Sequence, residues 1–140
     1  MKTILYVSQS VIPEAAAEAE VDRILEVARA RNVVEHITGA LIFTGARFAQ
    51  LLEGPAEGVD RVIASIESDA RHMHVTLLPT RGNAVRRFAD WSMAYSGRSA
   101  YVDRHLKPLL APLSSDEQLR GSELLIELML AFTGEGAGTR

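Results

Sequence analysis

The chain has 140 residues, of which 47% are hydrophobic, with a mean hydropathy of +0.05 and a net charge of −3. This is enough for one domain that buries a core without staples, and the lack of cysteine excludes disulfides, a thiolate nucleophile and cysteine-based metal sites. The acidic balance argues against a general polyanion binder, although thirteen of the fifteen basic residues are arginine. No apolar run is long enough to cross a bilayer, and the opening MKTILYVSQS has no proper apolar core or cleavage site of a signal peptide. The expectation is a cytoplasmic protein without membrane or nucleic-acid contacts.

Residues 3–8 (TILYVS) are β-branched and aromatic and read as a first strand with Tyr6 in its middle. From Glu14 to Arg31 the apolar positions Val21, Ile24, Leu25 and Ala28 recur at helical spacing, which predicts an amphipathic helix ending near Asn32. Residues 36–43 and 47–53 flank Thr44-Gly45-Ala46 and read as a β-hairpin. Its second strand carries one amide, Gln50, among apolar neighbours. A buried amide needs partners for its donors and its acceptor, and Tyr6 is the candidate to face it.

Pro55 suits the first turn of a second helix, with Val59, Val62, Ile63 and Ile66 in phase up to about Asp69. Residues 74–80 read as a strand at an edge or irregular position because of Pro79, and a last strand is expected around Trp91. The order β, α, β, β, α, β and a further strand predicts an α+β, ferredoxin-like sandwich, with a mostly antiparallel mixed sheet and two helices on one face. Beyond Gly97, residues 101–110 are weakly helical. Ser114 and Glu117 then form a capping-box pattern ahead of Leu124, Leu125, Leu128, Met129 and Phe132. Residues 134–140 are too rich in glycine to pack. The domain boundaries read as 1–97, a helical extension over 98–133 and a tail over 134–140.

Tyr6 in the first strand, Asn32 closing the first helix, the run ITGALIFTGARFAQLLEGP, Asp69 to His72 (DARH) and Arg86 to Tyr95 (RRFADWSMAY) occur in the order typical of one family. Together they resemble the BLUF domains, blue-light sensors that use flavin. The resemblance spans residues 1–97, and it rests on the ensemble, since each motif alone is weak.

It implies a non-covalent flavin, most often FAD with FMN or riboflavin as variants, lying between the two helices with its polar edge toward Tyr6 and Gln50. It further implies that light-excited flavin takes an electron and then a proton from Tyr6, and that recombination leaves Gln50 rotated or tautomerised. Asn32 matches the residue that bonds the ring's carbonyl and imide edge, and Ile24 and Ile66 match the clamps on the ring faces. Asp69, Arg71 and His72 match the segment at the ribityl and phosphate end, where a surface ion pair is the plain alternative for Arg71. Ala28 and Arg31 replace residues that are usually polar but not arginine near the ring, and Ser65 stands where a larger basic side chain is frequent.

Trp91 and Met93 match the pair implicated in carrying the change at Gln50 to the last strand; lying two apart, they would share one side of a regular strand. The residues by themselves also allow an ordinary core amide and tyrosine in a small ferredoxin-like enzyme or ligand-binding module. The four histidines, His36, His72, His74 and His105, form no convincing metal set, and no phosphate loop is present. Residues 98–140 are too few for a cyclase, phosphodiesterase or DNA-binding domain. The expected output is therefore to a separate effector protein from a non-enzymatic sensor, with a homodimer or larger homo-oligomer and the C-terminal helix packed on the open sheet face.

Overall fold

The computed structural model describes residues 1–81, 85–97 and 99–133. Its elements are β1 (Lys2–Ser10), a short 3-10 turn (Glu14–Ala16), α1 (Ala17–Glu35), β2 (Thr38–Phe43), β3 (Arg47–Gly54), α2 (Ala56–Glu67), β4 (His72–Leu78), β5 (Ala94–Ser96), α3 (Ala100–Leu106), a second 3-10 turn (Lys107–Leu110) and α4 (Ser115–Thr133). The sheet order is β4-β1-β3-β2-β5. All neighbours run antiparallel except β2 and β5, so the α+β ferredoxin-like architecture expected from the element order is the one observed.

Side chains alternate across a strand, and the sheet therefore sorts its residues into two cores. On one face Tyr6, Leu41, Phe48 and Leu52 meet Val21, Leu25 and Ala28 of α1 and Val59, Val62 and Ile63 of α2. On the other, Leu5, Val7, Ile42, Ala49 and Leu51 meet Val102 and Leu106 of α3 and Leu125, Ile126 and Met129 of α4. The C-terminal helix thus covers the outer face left open by the two-helix layer. Its first turn is closed by the capping box, in which Glu117 N–H donates to Ser114 Oγ at 3.2 Å and Ser114 N–H to Glu117 Oε1 at 3.0 Å. A further tie joins α3 to the hairpin, where Asp103 accepts from Arg47 Nη1 at 2.7 Å and Thr44 Oγ1 at 2.6 Å.

Two local features depart from the sequence reading. Helix α1 runs three residues past Asn32 and stops where His36 adopts a left-handed φ of 58°, so Asn32 is an internal residue of the last turn, fully buried. Strand β5 begins only at Ala94, so Trp91 and Met93 precede it in a bend, and strand alternation does not govern them. They face opposite ways. Met93 is buried in the core under α1 and α2, whereas Trp91 packs against the outer core.

The stretch from Arg86 to Met93 reaches β5 without a ladder of its own and is held by side chains. The fully buried Glu53 accepts from the backbone N–H of Arg87 at 2.9 Å, from that of Phe88 at 2.7 Å and from Thr38 Oγ1 at 3.1 Å. Arg86 Nη1 and Nη2 donate to the carbonyls of Glu53 at 3.1 Å and His36 at 2.7 Å, while Gly39 N–H donates to Trp91 O at 3.2 Å. Gly39 must be glycine for β2 to pass this close to β3, since a Cβ there would stand 2.0 Å from Leu51 O. Replacing Glu53 by Ala strands two buried backbone donors, and urea denaturation is expected to show a loss of about 3 kcal/mol, against a smaller loss for Glu53→Gln.

Candidate functional site

The register of β1 against β3 sets Tyr6 directly opposite Gln50, and both project toward α1 and α2. The Tyr6 hydroxyl donates to Gln50 Oε1 at 2.6 Å, and Gln50 Nε2 points at Met93 Sδ at 3.7 Å. Tyr6 and Gln50 are each 3% exposed, so neither can exchange this partner for bulk water. The orientation of the amide follows from its neighbours. Turned over, it would set its oxygen against a thioether that has no proton to give. One N–H of Gln50 is left for a further acceptor.

Tyr6 and Gln50 form the floor of a slot between α1 and α2. Ile24 and Ala28 line it from α1 and Ile66 from the end of α2, with Asp69, Arg71 and His72 beyond. Of the nine positions matched to the cofactor, the structure brings eight into this slot. The ninth, Asn32, lies one helical turn past Ala28; its Nδ2 donates to Ser92 O at 2.8 Å and its Oδ1 is buried with no donor.

His72 reaches the slot through a backbone irregularity. Leu5, Tyr6 and Val7 pair with Leu78, Leu77 and Thr76, but Gln9 and Ser10 pair with Met73 and His72, so one extra residue is absorbed on β4. His74 takes it up at φ 55°. A one-residue slip reverses which face a side chain meets, and the bulge thereby turns His72 to the Tyr6 side. There its Nε2 lies 2.6 Å from Ile66 O and its Nδ1 2.7 Å from Ser8 Oγ. The carbonyl can only accept, so Nε2 donates and the hydroxyl serves the other nitrogen.

The charges of the slot are unevenly matched. Arg71 is engaged by Asp69, with Nη2 to Oδ2 at 2.6 Å and Nε to Oδ1 at 3.0 Å, and by Glu20 at 3.5 Å. Hydrogen bonding from Arg71 holds the Asp69 carboxyl below its usual range against the opposing effect of burial. Arg31, which also lines the slot, has a buried Nε without a partner, and burial lowers its basicity. Burial pushes the Tyr6 phenol well above the ordinary phenol range, with the Asp69 charge adding to the effect and Arg31 opposing it.

Several contributors escaped sequence reasoning. Val27 and Phe48 line the slot, the latter two residues from Gln50 on the same face, and Leu41 pairs opposite Gln50 across β2 and β3. Strand alternation could have identified Phe48. Arg29 is a different matter, because its Nε and Nη2 both donate to Met93 O at 3.1 Å across a separation that no local pattern reveals.

Residues 1–94 match the family model described as "Sensors of blue-light using FAD", designated BLUF. The chain belongs to the BLUF family. It is 32% identical over 93 residues to the blue light- and temperature-regulated antirepressor BluF of Escherichia coli (strain K12), a match covering 66% of this chain and 23% of that protein. The chain therefore spans about a quarter of that relative's length. Among solved structures, the ground state of BlsA is 25% identical with a TM-score of 0.79, the match covering 99% of this chain and 93% of that one. The dark-state structure of the BLUF protein BlrB is 28% identical with a TM-score of 0.69, covering 90% of this chain and 94% of that one.

FAD is accordingly the cofactor of the family, and the slot suits a flavin. The apolar walls fit a flat ring and the spare Gln50 N–H suits a ring acceptor, while the orphaned Asn32 Oδ1, outside the slot's lining, is a buried acceptor without a donor. Because the phenol's pKa is raised on folding, its stabilising effect is complete below the unfolded value of 10.0 and declines as pH rises above it. The stability difference between wild type and Tyr6→Phe, measured by denaturation from pH 8 to 11, is expected to shift in favour of the variant above pH 10.

Proposed function

We propose that this chain is a blue-light photoreceptor in which Tyr6 and Gln50 carry the photochemistry and Gln50 stores the signal. The observation that carries this reading is the buried hydrogen bond from Tyr6 to Gln50 Oε1 at 2.6 Å at the base of the slot. Ile24 and Ile66 clamp the ring faces, Ala28 allows the ring to approach α1, and Asn32 accepts from its imide edge. Asp69, Arg71 and His72 form the ribityl end. Arg71, already held by two carboxylates, orients that end, and Arg31 is the cation with donor capacity to spare.

FAD supplies an electron acceptor that becomes strongly oxidising only in blue light. Tyr6 would be the residue to give a bound FAD an electron and then its phenolic proton, with the hydrogen bond to Gln50 as the proton's path. Both return to Tyr6, so nothing is consumed. Gln50 would end the cycle rotated or as its imidic tautomer, and its changed hydrogen bond toward a bound ring would move the absorption to longer wavelength until dark relaxation restores the amide. The low exposure of both residues keeps competing water from the pair.

Met93, touching Gln50 Nε2, receives the change first. Trp91, packed on the outer core, stands between that event and the face covered by α3 and α4. In this reading the domain of residues 1–97 senses, the helices over 98–133 present the altered surface, and a separate effector protein binds dark and lit forms with different affinity. The chain acts in the cytoplasm as a homodimer or larger homo-oligomer and turns over no substrate. No helix among the described residues is long and apolar enough to cross a membrane.

Purified protein supplied with FAD is expected to be yellow and to show a reversible red shift under blue light. Colourless protein, or a spectrum indifferent to light, would sink the proposal. Gln50→Leu and Tyr6→Phe should both fold and bind flavin yet lose the red shift. Met93→Ala should keep it and lose the light dependence of effector binding or self-association; unchanged light-dependent binding would remove Met93 from the relay.

A further inference from the structure

Met93 is also held from outside the Tyr6–Gln50 pair. Two consecutive carbonyls of its segment are grasped from α1, Ser92 O by Asn32 Nδ2 at 2.8 Å and Met93 O by Arg29 Nε and Nη2 at 3.1 Å each. The other end of the segment is fastened by the carboxylate of Glu53, which accepts from Arg87 N–H, Phe88 N–H and Thr38 Oγ1.

The two ends are unequal. Glu53 is fully buried and gathers three donors onto its two oxygens, whereas Arg29 is half-buried and brings its fork to a single neutral carbonyl. A contact to a neutral acceptor near water is the weaker of the two and yields first.

A turned Gln50 presents its oxygen to Met93 Sδ, which cannot donate, so the 3.7 Å contact is lost and Met93 is released from below. We propose that Arg29 is a positioning residue of the light response: its fork on the Met93 carbonyl holds Met93 against Gln50 in the dark and lets go when Gln50 turns, the segment hinging on Glu53. This rests on the Gln50 switch proposed above. Arg29 reaches solvent, so the release brings an event in the buried slot to the surface of α1.

The sequence contains a single Met-Ala pair, Met93-Ala94, so carbonyl-13C methionine with 15N alanine gives one NMR correlation that reports the Met93 carbonyl alone. In FAD-loaded wild type this carbon is expected to move under blue light in the direction of a lost hydrogen bond. Arg29→Gln should show a dark value displaced toward the lit one and a dark recovery slowed about three- to tenfold, with the red shift retained and Arg29→Lys partly restoring both. A purely structural role would lower the melting temperature without moving the carbonyl toward its lit value. A wild-type protein whose absorption shifts while the Met93 carbonyl does not, or Arg29→Gln recovering at the wild-type rate, overturns the inference. A wild-type spectrum that does not respond to light overturns the Gln50 switch itself and this inference with it.

Discussion

The structure depends on one buried hydrogen bond, from the Tyr6 phenol to the Gln50 amide, and on the strand register that makes it unavoidable. With Tyr6 opposite Gln50 in β1 and β3, both polar groups face the helix layer, where few other protein partners are in reach. Burying either alone would cost an unmet donor or acceptor; burying them together satisfies the phenol and leaves the amide two ways to lie. Met93 Sδ distinguishes the two, because it tolerates an N–H and gains nothing from a carbonyl oxygen. The same residues that complete the core thus form an element with two unequal states.

The surroundings of that pair are packed and hydrogen-bonded. The slot walls are aliphatic side chains of two helices on a five-stranded sheet, and His72 is fixed at both ring nitrogens by Ser8 and the Ile66 carbonyl. Asp69 and Arg71 engage each other. By contrast the stretch from Arg86 to Met93 has no strand ladder and is held by Glu53, Arg29, Asn32 and Gly39. A segment retained by a few side-chain clamps changes position at lower cost than a strand with neighbours on both sides. Met93 of this stretch touches Gln50, and Phe88 and Trp91 pack into the core beneath α3 and α4.

Family membership and local geometry bear on different parts of the argument. The match over residues 1–94 places the chain in the family of blue-light sensors using FAD, while the match to the relative at 32% identity covers only 23% of that protein. The family match ends ahead of the helices beyond residue 97. Here Arg47, Thr44 and Asp103 fasten α3 to the hairpin, and α4 seals the outer core.

The sequence by itself determined the strands and helices, the alternation of the hairpin, the capping box at Ser114 and eight of the twelve residues that line the slot. Each follows from periodicity or local chemistry acting over a few residues, or from a motif order kept along the chain. Only the tertiary structure decided that α1 continues to Glu35 and makes Asn32 an internal, half-satisfied amide, that a bulge at His74 turns His72 toward Tyr6, and that Met93 faces the slot while Trp91 faces away. It also decided that Arg71 is engaged by carboxylates and that Arg29 holds the Met93 carbonyl. The reason is common to all of these. A register shift, a bend before a strand or a hydrogen bond between residues 64 apart is set by how packed layers meet, and nothing in the spacing of neighbouring residues encodes it.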